Sequence, residues 1–376
     1  MKFTLLVTFL SIIFYFGCSQ DPSSVGKNLL LDSDKLETKS LTITSQKSSS
    51  YPITSSNNSG TLMVGRSHGV VAEMLLQFGY FPVDTAIADS IISVRIKMFP
   101  NYSFKDTAGT LSFSIHRMPV SWNEYTFTTD SLTAYDINPI DVPSIAINSR
   151  DSLIEFPLDN SIVSNWLKGE KNNGIILVPK LSSDIILGVT SYVNSTSDDR
   201  RPQIEILYRL PADTADKTLT LRTVQDATIF SGVRPTSSDS LFYVQGGLIE
   251  RGKIFFDVDS IPKSAAITQA FLELKIDTLS SIFSSFTDRG IRVHDIVTAD
   301  SIPKLGALSS AAKPDGNKYM IDVRSLVQQW VTGRPNYEIA LRSDNEFEQV
   351  ERFAVYGFSA QADSKPKLII KYTFLP

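Results

Sequence analysis

The stretch DSIPKSAAITQAFLELKI, Asp259 to Ile276, closes on alternating apolar and polar residues, the period of a β-strand with one buried face. GYFPVDTAIADSIISVRI, Gly79 to Ile96, carries nearly the same pattern 180 positions earlier. Working outward, residues 62–97 align without a gap on 242–277, pairing Val64 with Val244, Pro82 with Pro262, Ala86 with Ala266, Ile87 with Ile267 and Ile96 with Ile276. Upstream, KSLTITS from Lys39 returns as KTLTLRT from Lys217. Downstream the offset becomes 164 and pairs Trp166 with Trp330, Gly169 with Gly333, Pro202 with Pro366 and Tyr208 with Tyr372. Two of only three tryptophans fall in register, so the chain is one module written twice.

The repeats keep their order and differ by small deletions between blocks, which is how loops vary around fixed elements. The expected organisation is a leader over 1–17, a Ser- and Asn-containing tether over 18–38, a first β-sandwich over 39–209, a linker LPADTAD over 210–216 and a second β-sandwich over 217–376. Period-2 alternation recurs at Leu41 and Ile43, at Leu111, Phe113 and Ile115, at Ile204 and Ile206, and at Leu368 and Ile370. Many short strands separated by turn signals predict an all-β fold of two tandem antiparallel, jelly-roll-like sandwiches. One segment in each repeat departs from this period. SIVSNWLKG and SLVQQWVTG space their apolar residues as a helical stripe and end on Gly169 and Gly333, so each repeat should carry one short helix, with Trp166 and Trp330 in its core.

Of 376 residues, 42% are hydrophobic, enough for sizeable cores. A net charge of −4 without a basic block disfavours nucleic acid as a partner. Lys2 precedes an apolar run from Phe3 to Phe16, shorter than the roughly 20 residues a membrane helix needs, and polar SQDPSS follows Cys18. That is the layout of an export signal. Cys18 is the only cysteine, so no intramolecular disulfide forms. With Gly17 before it, Cys18 resembles the lipidated cysteine of bacterial lipoproteins, which implies cleavage before residue 18 and acyl chains on its sulfur. The resemblance implies an envelope location, with Ser19 pointing to the outer membrane, and the lipid bilayer as a partner. Two or three chains would hold the protein stably where one would not.

In the second repeat, TVQDATIFSG, RGKIFFDVDSIPK, IRVHDI, YMIDVRSLVQQWVTG and PKLIIKYT stand in an order that resembles the DNRLRE-type domain of exported bacterial and archaeal proteins, a jelly-roll sandwich related to carbohydrate-binding modules. Asp226, Phe256-Asp257, Pro262, Ile267 with Ala270, Asp322-Val323 and Trp330 carry that resemblance. DPSSVGKNLLLDSD, from Asp21, resembles the start of Bacteroidetes lipoproteins of unknown function. Together these imply a non-catalytic, membrane-anchored protein that binds polysaccharide or another envelope glycan. The competing expectation is a structural or adhesin subunit that binds an envelope protein.

Within SWNEYTF, Trp122 and Tyr125 have no aromatic counterpart in the second repeat and sit beside Asn123 and Glu124 in a loop segment. Aromatic rings that stack on the apolar faces of sugars, beside an amide and a carboxylate that hydrogen-bond their hydroxyls, make these four the candidate ligand residues. Gly65 to Gly69, GRSHG, matches a nucleophile-elbow pattern, but it lies between alternating strands and its counterpart QGGLI has neither serine nor histidine, so a glycine-supported turn is expected and no catalytic residue is assigned. His116 and His294 occupy equivalent strand positions and read as structural; no metal site or cofactor is expected from their spacing. The acidic run holding Asp344, Glu346, Glu348 and Glu351 matches no calcium loop and reads as a solvated hairpin.

Overall fold

A computed structural model describes residues 36–54, 59–127, 135, 138–149, 153–193, 200–284 and 287–375. The leader and Cys18 lie outside the described residues. No helix among those described is long and apolar enough to cross a membrane. The chain is all-β, and every strand pairing is antiparallel.

In chain order the strands are β1 Glu37–Thr44, β2 Lys47–Pro52, β3 Thr61–Ser67, β4 Val70–Phe78, β5 Ile91–Met98, β6 Pro100–Ser103, β7 Gly109–Leu111, β8 Phe113–Arg117, β9 Ile140–Asp141, β10 Ile145–Ile147, β11 Ile154–Leu158, β12 Ile175–Pro179, β13 Ile186–Thr190 and β14 Gln203–Tyr208. They continue as β15 Lys217–Gly232, β16 Leu241–Gln245, β17 Glu250–Phe255, β18 Ala266–Lys275, β19 Ile291–Ile296, β20 Leu305–Ala312, β21 Lys318–Asp322, β22 Ile339–Ser343, β23 Arg352–Tyr356 and β24 Lys367–Phe374. Among the described residues three short helices interrupt them: α1 Thr85–Ala88, α2 Asn160–Leu167 and α3 Arg324–Val331.

The two repeats build the same sandwich. One layer of the first runs β11-β5-β14-β15, and the matching layer of the second runs β21-β18-β24-β1. The opposite layers centre on β15-β4-β12-β8 and on β2-β17-β22-β19. Between each pair of layers lies a closed apolar core. Phe78, Ile96, Phe113, Phe156 and Trp166 fill the first, and Phe256, Leu272, Tyr319, Phe353 and Trp330 the second. Both tryptophans are buried on the inward stripe of their helices, as the helical spacing required. Asp159 starts α2 by accepting the Ser161 amide at 2.8 Å, and Asp322 accepts the Arg324 amide at 2.9 Å, satisfying donors that a helix N-terminus leaves open.

The sequence repeats and the packed units do not coincide. β1, the first strand of repeat 1, pairs over its whole length with β24, from Glu37 against Phe374 to Thr44 against Lys367. β2 pairs with β17, and Leu41 and Ile43 pack on the second core. Conversely β15, the first strand of repeat 2, pairs with β14 and then β4, and its Leu219 and Leu221 pack on the first core. The boundaries at 39–209 and 217–376 therefore delimit the written repeats, while the sandwiches consist of residues 61–232 and of 37–52 with 241–374. The two leading strands open on one hydrophobic alternation, which by itself does not assign either of them to an acceptor site.

A gapless offset of 180 also holds only in part. Ile96 lies opposite Ile204 as Leu272 lies opposite Leu368, which sets the offset of β5 and β18 at 176. Ile175 lies opposite Leu76 as Ile339 lies opposite Ile254, so the offset is already 178 at β4 and β17, and the rest of the change falls in the segment that holds α1, capped by Asp84. The segment from Gly79 is thus turn, helix and strand, whereas its counterpart is turn and strand.

The exchange predicts an inversion of local stability. Removing residues 37–52 should strip hydrogen-exchange protection from β24 and β17 and leave β5 and β14 protected, as read by mass spectrometry. Loss confined to residues 61–232 would assign the strand to the repeat it precedes.

Candidate functional site

Equivalent registers align the loop ends of the two sandwiches. His116 lies opposite Ile176 as His294 lies opposite Ala340, confirming the equivalent strand positions. Asn172 donates to the Phe78 carbonyl at 2.9 Å and accepts the Gly174 amide; Asn336 donates to the Phe256 carbonyl at 2.7 Å and accepts the Glu338 amide. The same asparagine clamp thus holds the same turn in both units. By these registers Trp122 corresponds to Asp300, Asn173 to Tyr337 and Gly174 to Glu338.

In the first sandwich the 121–127 loop folds back over the outer sheet face. Leu75, Ile176, Ala227 and Ile229 point outward there, and Met118, Trp122 and Phe127 cover them. The Trp122 indole N–H donates to the Asn173 carbonyl at 2.9 Å, and its ring meets Phe127 edge-on at 5.8 Å. The Asn123 side chain accepts the Tyr125 amide at 2.9 Å. Glu124 is buried and accepts the Asp226 amide at 3.2 Å. Of the four candidates, the structure places Trp122 and Glu124 inside the loop and leaves Asn123 and Tyr125 exposed, the latter at 58%. Beside them an open groove of about 660 Å³ is lined by Arg117, Pro119, Glu170, Lys171 and Asn173.

Asp226 is 2% exposed, and its carboxylate accepts the Tyr192 amide at 2.7 Å. Burial pushes its pKa up to about 7; the Tyr192 amide opposes that shift and the charge of Glu124 adds to it.

In the second sandwich no aromatic loop covers the corresponding end. A groove of about 370 Å³ opens there between Lys47, Lys253, Phe255, Asp300, Tyr337 and Glu338. Lys253 Nζ pairs with Glu338 Oε2 at 3.2 Å, Lys47 Nζ stands 5.9 Å from the Phe255 ring centre, and the Tyr337 ring is part exposed. Glu338 has φ +88°, in the left-handed region, where the first sandwich has Gly174 at φ +84°. A side chain there costs about 1 kcal/mol or more. The second unit therefore holds a carboxylate at the groove against its own backbone preference. No sequence motif pointed to this groove. The legible signal was the change of NNG, Asn172 to Gly174, into NYE, Asn336 to Glu338.

The GRSHG segment is the β3–β4 hairpin, with His68 and Gly69 both at positive φ, the two-residue turn that strand twist favours. Ser67 Oγ and His68 Nδ1 are 2.7 Å apart, but His68 Nε2 faces the Lys105 ammonium at 2.8 Å. A lysine there donates to Nε2, so Nδ1 carries the proton and donates to the serine, the reverse of what a general base needs. The acidic run disperses: Asp344 pairs with Arg292, Glu346 takes a two-pronged contact from Arg251, and Glu351 accepts the Tyr102 hydroxyl. Among the described residues no three metal-ligating side chains converge.

No protein-family model matches the chain, and no curated protein does. Among solved structures, the infectious bursal disease virus VP2 subviral particle aligns at 11% identity over 92% of this chain and 79% of that one, with a TM-score of 0.14. The Gt strain of the same virus aligns at 13% identity over 91% and 78%, also at 0.14. Scores of that size carry no inference about either fold or function.

Asp226 predicts a pH signature. Its folded pKa lies above the ordinary 3.8, so the native state keeps a proton that the unfolded chain releases, and stability falls as pH rises from about 4 to about 7. Asp226→Asn keeps an acceptor for the Tyr192 amide without the charge. Thermal melts from pH 4 to 8 should show a flatter profile for the variant and a higher midpoint than the parent at pH 8. Parallel profiles would contradict the buried-acid reading.

Proposed function

We propose that this is an exported, lipid-anchored, non-catalytic binding protein whose sandwich ends hold a polysaccharide or other envelope glycan. The observation that carries the reading is the groove of the second sandwich, where Glu338 keeps a strained backbone beside Lys253, Lys47 and the Phe255 and Tyr337 rings. A sugar ring offers apolar C–H faces to aromatic rings and hydroxyls to carboxylates and ammonium groups, so rings and charges at one groove edge suit it. Strain that persists where a glycine would relieve it favours function over packing.

Anchoring at Cys18 fits the same arrangement. Because β1 belongs to the second sandwich, a tether from residue 18 reaches that unit first and leaves the first sandwich, with exposed Tyr125, on its far side along the chain. Nineteen residues from Cys18 to Glu37 (37 − 18) span at most about 65 Å.

Three substitutions test the reading and separate binding from stability. Glu338→Gly should raise the unfolding free energy by up to about 1 kcal/mol, seen as a higher midpoint in denaturant, yet weaken retention on a panel of immobilised envelope polysaccharides. Tyr337→Ala should cut retention about tenfold or more with little change in the melt, and Tyr125→Ala tests the first sandwich in the same assay. No retention by the parent, or retention indifferent to all three changes, would refute the glycan reading.

A further inference from the structure

The strand exchange has a partner built into it, a second copy of the chain. All the hydrogen bonds described from residues 37–53 to other parts of the chain end on residues 237–374. The Ser45 amide bonds Pro366, the Gln46 amide bonds Phe255 and the Ile53 amide bonds Ile249. Ser50 exchanges bonds with Tyr243 in both directions, and Ser48 accepts the Phe358 amide at 3.0 Å. Leu41 and Ile43 pack on the second core alone. The segment is joined to β3 through TSSNNSG, Thr54 to Gly60, seven residues without an apolar side chain.

We propose that residues 37–52 of one molecule complete the second sandwich of another, so that the protein assembles by strand exchange between copies. The contacts made in trans are the same as those made within one chain, so bond energy does not choose between them; the local concentration of the donor does. A short linker supplies an effective concentration in the millimolar range, a value that a crowded, membrane-confined population can match. Two features make the exchange feasible. The donor precedes every strand of both sandwiches, so it leaves and enters without threading a loop. The homologous strand β15 occupies the other acceptor site, so both sandwiches are already closed by the leading strand of the opposite repeat. The inference rests on the pairing and on the membrane anchoring proposed above, and is independent of any glycan ligand.

The test uses two full-length variants produced in the same cells, one with Ser40→Cys and the other with Lys371→Cys. These positions face each other in the β1–β24 register and are both exposed. A disulfide between the two variants forms only when β1 of one chain lies on β24 of another. After mild oxidation of isolated membranes, a non-reducing gel should show a mixed dimer. Replacing Lys371→Cys by Lys367→Cys, which faces Thr44 in the register, should abolish it. A control with both cysteines in one chain should give a compact cross-linked monomer, which shows that the paired strands fold. A cross-linked monomer in that control with no mixed dimer, or equal dimer from the out-of-register pair, would overturn the proposal.

Discussion

Each sandwich depends on one strand that serves both of its layers. In the first unit that strand is β15, sixteen residues long, which pairs with β14 up to Arg222 and from Thr223 on with β4 in the opposite layer, with a register shift between Thr223 and Gln225. In the second unit the same course is broken into β1 and β2 at Ser45-Gln46, and the corner is held alike: Ser45 donates to Pro366 as Thr223 donates to Pro202. Without this strand both layers would present a bare edge of unpaired amides and carbonyls beside an open core, a costly arrangement that invites pairing with another chain. Exchange between the repeats ties the two sandwiches together, because neither is complete without chain from the other's repeat.

Much of this was legible, and the part that was not has a definite cause. The repeats, the strands, the two helices carrying Trp166 and Trp330, and the shared place of His116 and His294 follow from periodicity, which burial enforces residue by residue. Periodicity is blind to which acceptor a strand chooses. KSLTITS and KTLTLRT present the same alternation, so residues 39–45 carry no mark that assigns them to the second core. The 121–127 loop shows the complementary limit. Its rings and carboxylate suggested a ligand surface, yet Trp122 and Glu124 are folded inward. The overlooked signal lay in the strands. VVAEMLLQF of β4 and IILVP of β12 are apolar on both faces, as strands covered on both sides must be, and the loop supplies the second cover.

Loss of that cover is what distinguishes the second unit. Counted on from the strand registers, Asp300 corresponds to Trp122, and Tyr337 and Glu338 replace Asn173 and Gly174 at the same turn. The turn itself is unchanged, because Asn336 repeats the clamp of Asn172. The same asparagine clamp therefore carries a closed end in one unit and a charged, part-aromatic groove in the other. In the first unit a Cβ at Gly174 would meet the Leu76 carbonyl oxygen at 2.4 Å, so the turn there admits no side chain at all.

The closing strands show the same division between shared structure and local chemistry. Asp226 and Ser48 occupy equivalent places, and each accepts a loop amide, Tyr192 in one unit and Phe358 in the other. A serine hydroxyl meets that need without charge, so capping alone does not explain a carboxylate buried beside Glu124. Because Asp226 titrates near neutrality while Ser48 does not titrate, protonation weighs on the first sandwich and leaves the capping of the second untouched. The strand that carries Asp226 is written in the second repeat, so the pH response of the first sandwich is encoded in the sequence of the other.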